Sequence, residues 1–95
     1  MACSCNCEAT ASHFDGRRAE RDRARYERQG PDPTTRLLLE ELRPVTRPGD
    51  TLLDVGGGIG VLGLELLAAG LREVVLAEAA PTYFTVAQDL FARSA

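Results

Sequence analysis

The sequence predicts an α/β fold in which a small parallel sheet is preceded by helices, and three observations predict it. Two short apolar stretches, Thr51 to Val55 and Val74 to Ala77, read as strands. A glycine-rich turn and a stretch of helix-forming residues lie between them. After the second stretch, Tyr83, Val86, Ala87, Leu90 and Phe91 recur at helical spacing and mark a face that packs on a sheet. Strand–helix–strand–helix order implies parallel strands, because a crossover helix carries the chain back to the edge it left.

The elements follow in order. Residues 1–15, with Cys3, Cys5 and Cys7, carry no pattern and are expected to form a flexible start. Residues 16–45 are expected to form a helical arm. Its first half alternates Arg17, Arg18, Arg21, Arg23, Arg25 and Arg28 with Glu20, Asp22 and Glu27, a charge pattern expected of a solvated helix. Gly30 and Pro31 end that helix, and Asp32-Pro33 starts another, since Asp is a strong N-cap and Pro suits the first helical position. Leu38, Leu39 and Leu42 form its apolar stripe, and Pro44 is expected to end it. A turn at 47–50 opens the βαβα segment, residues 46–95.

Bulk composition bounds the function. Ninety-five residues provide one core and no room for a second. A content of 44% hydrophobic and 26% charged residues is ordinary for a globular chain. The net charge of −3 weighs against nucleic acid as a partner, since neutralising phosphates calls for a basic domain. No apolar run approaches the ~18 residues that span a bilayer. The first residues lack the positive start and apolar middle of a signal peptide, so a cytoplasmic location with no membrane partner is expected. Cys3, Cys5, Cys7 and His13 are possible zinc ligands, but C-x-C-x-C departs from the usual two-to-four-residue gaps. Free thiols and no metal are expected.

The informative stretch is Leu52-Leu53-Asp54-Val55-Gly56-Gly57-Gly58-Ile59-Gly60. At the carboxyl end of a parallel strand the chain must turn sharply and leave room for a ligand. Glycines permit both. Gly58-Ile59-Gly60-Val61-Leu62-Gly63 also matches the G-x-G-x-x-G dinucleotide pattern, with Glu78 about 20 residues on. In that register the preceding strand would contain Asp54, Gly56 and Gly57, which is poor strand material. If Gly56 were first, the third glycine position falls on Val61. An NAD(P)-binding domain stays as the alternative reading.

The same stretch resembles motif I of class I, Rossmann-like S-adenosylmethionine (SAM) dependent methyltransferases, with Asp54, Gly56, Gly58 and Gly60 in place. The likeness extends through Leu76-Ala77-Glu78-Ala79-Ala80-Pro81 and covers about residues 46–93. It implies SAM as cofactor, bound by Asp54, Gly56, Gly57, Gly58, Gly60, Glu78 and Ala79. Asp54 would hold the methionine end, the glycines would contact the cofactor by backbone, and Ala79 and Ala80 would flank the adenine. Glu78, an acceptor-only carboxylate, would take both ribose hydroxyls. Residues 14–35 are more loosely similar to the opening of some short bacterial methyltransferases and, more distantly, of magnesium-protoporphyrin methyltransferases. There Tyr26 and nearby arginines would touch an anionic substrate.

The resemblance implies a seven-stranded sheet, of which two strands are present. The chain is therefore expected to be an incomplete, inactive portion of a methyltransferase acting on a small-molecule acceptor, with no catalytic residue assignable. Its open sheet edges offer a route to self-association. A non-catalytic SAM-binding or partner-binding module is a further alternative.

Overall fold

The computed structural model describes residues 16–94. Cys3, Cys5, Cys7 and His13, and the expectations attached to them, lie outside these residues. The elements are helix α1 (Gly16–Gln29), helix α2 (Pro33–Leu42), a 3-10 turn (Arg43–Val45), strand β1 (Thr51–Val55), helix α3 (Val61–Ala68), strand β2 (Glu73–Ala77) and helix α4 (Pro81–Ser94). The two strands pair in parallel, Leu52 opposite Val74 and Asp54 opposite Leu76. The α/β class with a parallel sheet behind N-terminal helices is therefore as expected.

Local chemistry sets most boundaries. Gly30, at φ 75°, turns the chain out of α1 while its N–H bonds to the Tyr26 carbonyl at 2.8 Å. Asp32 caps α2, its Oδ1 accepting from the Thr35 N–H at 2.8 Å. The Arg36 guanidinium then reaches back to the carbonyls of Pro31, at 2.8 Å, and Gln29, at 2.9 Å. The α1–α2 corner is thereby held by the cap residue Asp32 and by one side chain of α2 itself, Arg36. Pro44 does not stop α2 abruptly. The α-helix ends at Leu42 and Pro44 sits inside the 3-10 turn that continues it.

The charge run of α1 hides an inward face. Ala19, Asp22, Arg23 and Tyr26 fall at i, i+3, i+4 and i+7, and Ala19 is fully buried. This face docks on α4: the Tyr83 hydroxyl donates to Asp22 Oδ2 at 3.0 Å, and Arg23 pairs with Asp89. The helix expected to be simply solvated is solvated on one side only. The sequence signal was a small residue, Ala19, that a charge count passes over.

Burial divides the sheet by face. Leu52 and Val74 pack with α2 and α3 around Leu39, Leu66 and Leu71. A second cluster joins α1, the glycine loop and α4 through Ala19, Ile59, Tyr83, Val86 and Leu90. On the opposite face Leu53 is 66% exposed, Val55 75% and Val75 50%. Parallel sheets are normally covered on both faces, so the described residues build one side of a layered structure. No described helix is long and apolar enough to cross a membrane.

Candidate functional site

The glycine turn begins where the sheet ladder ends. Gly56 N–H bonds to the Ala77 carbonyl at 2.7 Å, extending the parallel pairing by one step. The chain then reverses: Gly56, Gly58 and Gly60 have φ of 71°, 62° and 85°. That left-handed conformation is disfavoured for residues with a Cβ. Gly57 has a different constraint. A Cβ there would overlap the Asp54 carboxylate and lie 2.6 Å from Leu76 Cδ1. The motif's alternating glycines answer to backbone conformation, and the glycine between the first two answers to the space Asp54 occupies.

Glu78 ties this turn to the next element. Its Oε1 accepts from Gly58 N–H at 2.8 Å, and its Oε2 accepts from Ala80 N–H at 2.9 Å. The carboxylate thus spans from the loop to the start of α4. Each oxygen keeps a further lone pair for a ligand hydroxyl.

Two cavities flank the loop. One, of about 400 Å³, lies between the loop and the helical arm and is lined by Asp22, Arg25, Tyr26, Asp32, Thr35, Asp54, Gly56, Gly57 and Gly58 among others. The other, of about 750 Å³, lies on the β2 side and is lined by Gly56, Gly58, Leu76, Ala77, Glu78, Ala79 and Phe84 among others. Val55, Gly56, Gly58 and Tyr83 border both. An elongated ligand could cross the loop from one to the other.

The candidate residues divide between these spaces. Asp54 and Gly57 face the arm cavity; Glu78 and Ala79 face the β2 cavity; Gly56 and Gly58 lie between. Gly60 and Ala80 fall away from both. Gly60 is the buried N-cap of α3, where a φ of 85° and the 2.6 Å that would separate a Cβ from Phe91 Cε2 both call for a glycine. Ala80 is 1% exposed and packs in the core, which removes it from the pair expected to flank an adenine. Of the arm residues that line the first cavity, Tyr26 and its neighbour Arg25 are ones that the looser likeness implied would touch a substrate, whereas Asp22, Asp32 and Thr35 were not among the expected site residues. Asp32 was legible as a helix cap, and Asp22 and Arg25 as members of a charge run, but nothing local brings them to the loop.

Electrostatics single out Asp54. Its Oδ2 is buried without a hydrogen-bond partner among the described residues. Burial, and then the charge of Glu78, push its carboxyl above the usual range. Asp32 is shifted oppositely, lowered first by the Thr35 N–H bond. The Tyr83 phenol is pushed up to about 12, by burial and then by its bond to Asp22. Tyr83 therefore stays protonated and works as a donor that ties α1 to α4. No group of three or more possible metal ligands gathers among the described residues.

A parallel βαβ turn with a carboxylate in the first strand, glycines at the switch and a second carboxylate following the next strand defines a Rossmann-like unit. The model of the methyltransferase small domain matches residues 20–93, and the chain belongs to that family. Family membership implies the use of SAM. Among similar proteins, the ribosomal protein L11 methyltransferase of Geobacter sulfurreducens is 43% identical over 60 residues, covering 63% of this chain and 20% of that protein. The enzyme of the same name from Enterococcus faecalis is 49% identical over 45 residues, covering 47% of this chain and 14% of that protein. The chain thus matches a fifth or less of the length of these relatives. Their name specifies a protein acceptor, where the sequence led us to expect a small molecule, and it offers no ground for excluding nucleic acid. No solved structure matches the chain significantly.

Proposed function

We propose that this chain is the cofactor-holding portion of a SAM-dependent methyltransferase. The methionine end would occupy the arm cavity and the nucleoside the β2 cavity. The observation that carries this reading is the unpaired, buried Oδ2 of Asp54 at the loop. An ionised carboxylate left without a partner is costly, and a neighbouring cation offsets that cost. Asp22, Asp32 and Asp54 give the arm cavity three acids against one arginine. A sulfonium and an ammonium suit that field; the pyrophosphate of a dinucleotide is repelled by it. The residues therefore fit SAM better than NAD(P).

When bound, SAM supplies an electrophilic methyl group. The chain's own part is to hold it: Asp54 faces the cationic end, the backbone of Gly56 and Gly58 supports the middle, and Glu78 takes the ribose hydroxyls with its remaining lone pairs. Ala79 offers a small wall for the base. Methyl transfer depends on holding the two reacting groups in line, and we assign no proton-removing base. For the acceptor, the relatives' name favours a protein over a small molecule. Calorimetric titration with SAM, its demethylated product and NAD tests the reading. SAM is expected to bind and NAD not; a preference for NAD sinks it.

Asp54 gives this proposal a pH signature. Its folded-state pKa is raised above the ordinary 3.8, so folding favours the protonated form. The stability this contributes is fully present below pH 3.8 and is lost as pH rises through the raised value. Thermal melts of the cofactor-free chain should show that decline, and Asp54→Asn should remove it. The same variant should bind SAM more weakly at neutral pH. A variant that keeps the decline places its origin in another group.

A further inference from the structure

The arm cavity holds one cation among the described residues that line it, and that residue has bonding capacity to spare. Arg25 lies on α1 with its side chain 51% exposed. Its Nη2 is 3.6 Å from Asp22 Oδ1 and 3.8 Å from Asp32 Oδ2. Charge-assisted hydrogen bonds run at about 2.7–2.9 Å, so both pairs are loose. Each acid is also engaged elsewhere. Asp22 Oδ2 accepts from the Tyr83 hydroxyl at 3.0 Å, and Asp32 Oδ1 accepts from the Thr35 N–H at 2.8 Å. A guanidinium has five N–H donors in a planar fork. Asp22 and Asp32 thus hold Arg25 beside the cavity without using up its donors.

We propose that Arg25 receives the α-carboxylate of the ligand's amino-acid end; this rests on the SAM reading above. That end carries a sulfonium, an ammonium and a carboxylate, two positive charges to one negative. The cavity presents the reverse pattern, with acids at Asp22, Asp32 and Asp54 and a cation at Arg25. The fork of an arginine suits a carboxylate in two-point contact. The helical arm then becomes part of the cofactor site, held in place on α4 by Asp22–Tyr83 and Arg23–Asp89. Its charge run then supplies the carboxylate's partner, Arg25, beside Asp22.

The test is calorimetric titration of the 95-residue chain with SAM and with 5′-methylthioadenosine, the nucleoside thioether that lacks the amino-acid end. Arg25→Ala is expected to weaken SAM by about tenfold to hundredfold, the worth of a hydrogen-bonded charge pair, and to leave methylthioadenosine unchanged. Arg25→Lys should fall between, since an ammonium keeps the charge but loses the fork. If Arg25→Ala fails to fold, the ratio of the two affinities in Arg25→Lys carries the test. Equal losses for both ligands would show that Arg25 only braces the corner, and the proposal falls. It falls too if SAM affinity is unchanged, which would leave the guanidinium for an acidic acceptor. A parent chain that binds neither compound overturns the SAM reading itself, and this inference with it. Binding of both by the parent, with no discrimination by the variants, overturns the Arg25 assignment alone.

Discussion

Gly57→Ala is expected to cost the chain about 1–3 kcal/mol of stability, the usual penalty for an extra methyl in a filled space, and to abolish measurable SAM binding. The methyl group would overlap the Asp54 carboxylate and press on Leu76 Cδ1. Relief on one side moves a terminal methyl of Leu76. Relief on the other turns the Asp54 carboxylate away from the cavity it lines. The second movement removes the charge proposed to face the sulfonium, so binding suffers more than stability does. Thermal melts and calorimetry on the same samples measure both. Ordinary SAM affinity in a folded Gly57→Ala chain would show that Asp54 does not need its present position, and the proposed function would lose its main support.

Glu78→Ala should produce the second large effect. Two backbone donors, Gly58 N–H and Ala80 N–H, lose their acceptor. Orphaned donors of this kind cost about 1–3 kcal/mol each where water cannot replace the partner. The proposed ribose contacts vanish as well, and SAM affinity should fall by about hundredfold or more. The two roles separate with a ligand change. If Glu78 holds the hydroxyls, the parent should discriminate strongly against a 2′,3′-dideoxy analogue of SAM, and Glu78→Gln much less. Equal discrimination by parent and variant would leave Glu78 as a strap between the loop and α4, with no part in binding the sugar.

These two residues also show how far a sequence can be read. Glu78 was expected at the strand end from its position after an apolar run, and it is there. Its hydrogen bond from Ala80 N–H, two residues on, is local, but the one from Gly58 N–H was not legible, because it depends on how the loop lies against the end of β2. Asp54 was legible as the acid of the motif, but its unpaired Oδ2 follows from burial, which spacing does not report. Gly60 is instructive in the other direction. It matches the motif, yet it lies away from both cavities, and Phe91, 31 positions away in the chain, fills the space a Cβ would take there. Ala80 likewise reads as a neighbour of Ala79, but one step along the chain turns it from a cavity into the core.

The charged arm marks the clearest limit. Charge alternation in α1 predicts exposure, and most of its arginines are exposed. Its docking rests on Ala19, Asp22, Arg23 and Tyr26, whose partners Tyr83 and Asp89 lie more than 60 positions away. Without that docking, Arg25 and Asp32 would not border the glycine turn at all.

Short-range chemistry was enough to specify the helix cap at Asp32, the exit at Gly30, the two parallel strands and the turn between them. Each depends on bonds within a few residues or on a periodicity that burial imposes on neighbours. Tertiary structure alone decided which side chains share a cavity, because contacts between elements distant in sequence arise from packing, and many different sequences pack equally well. A backbone turn can be read from its glycines; the company that turn keeps can be read only from the folded chain.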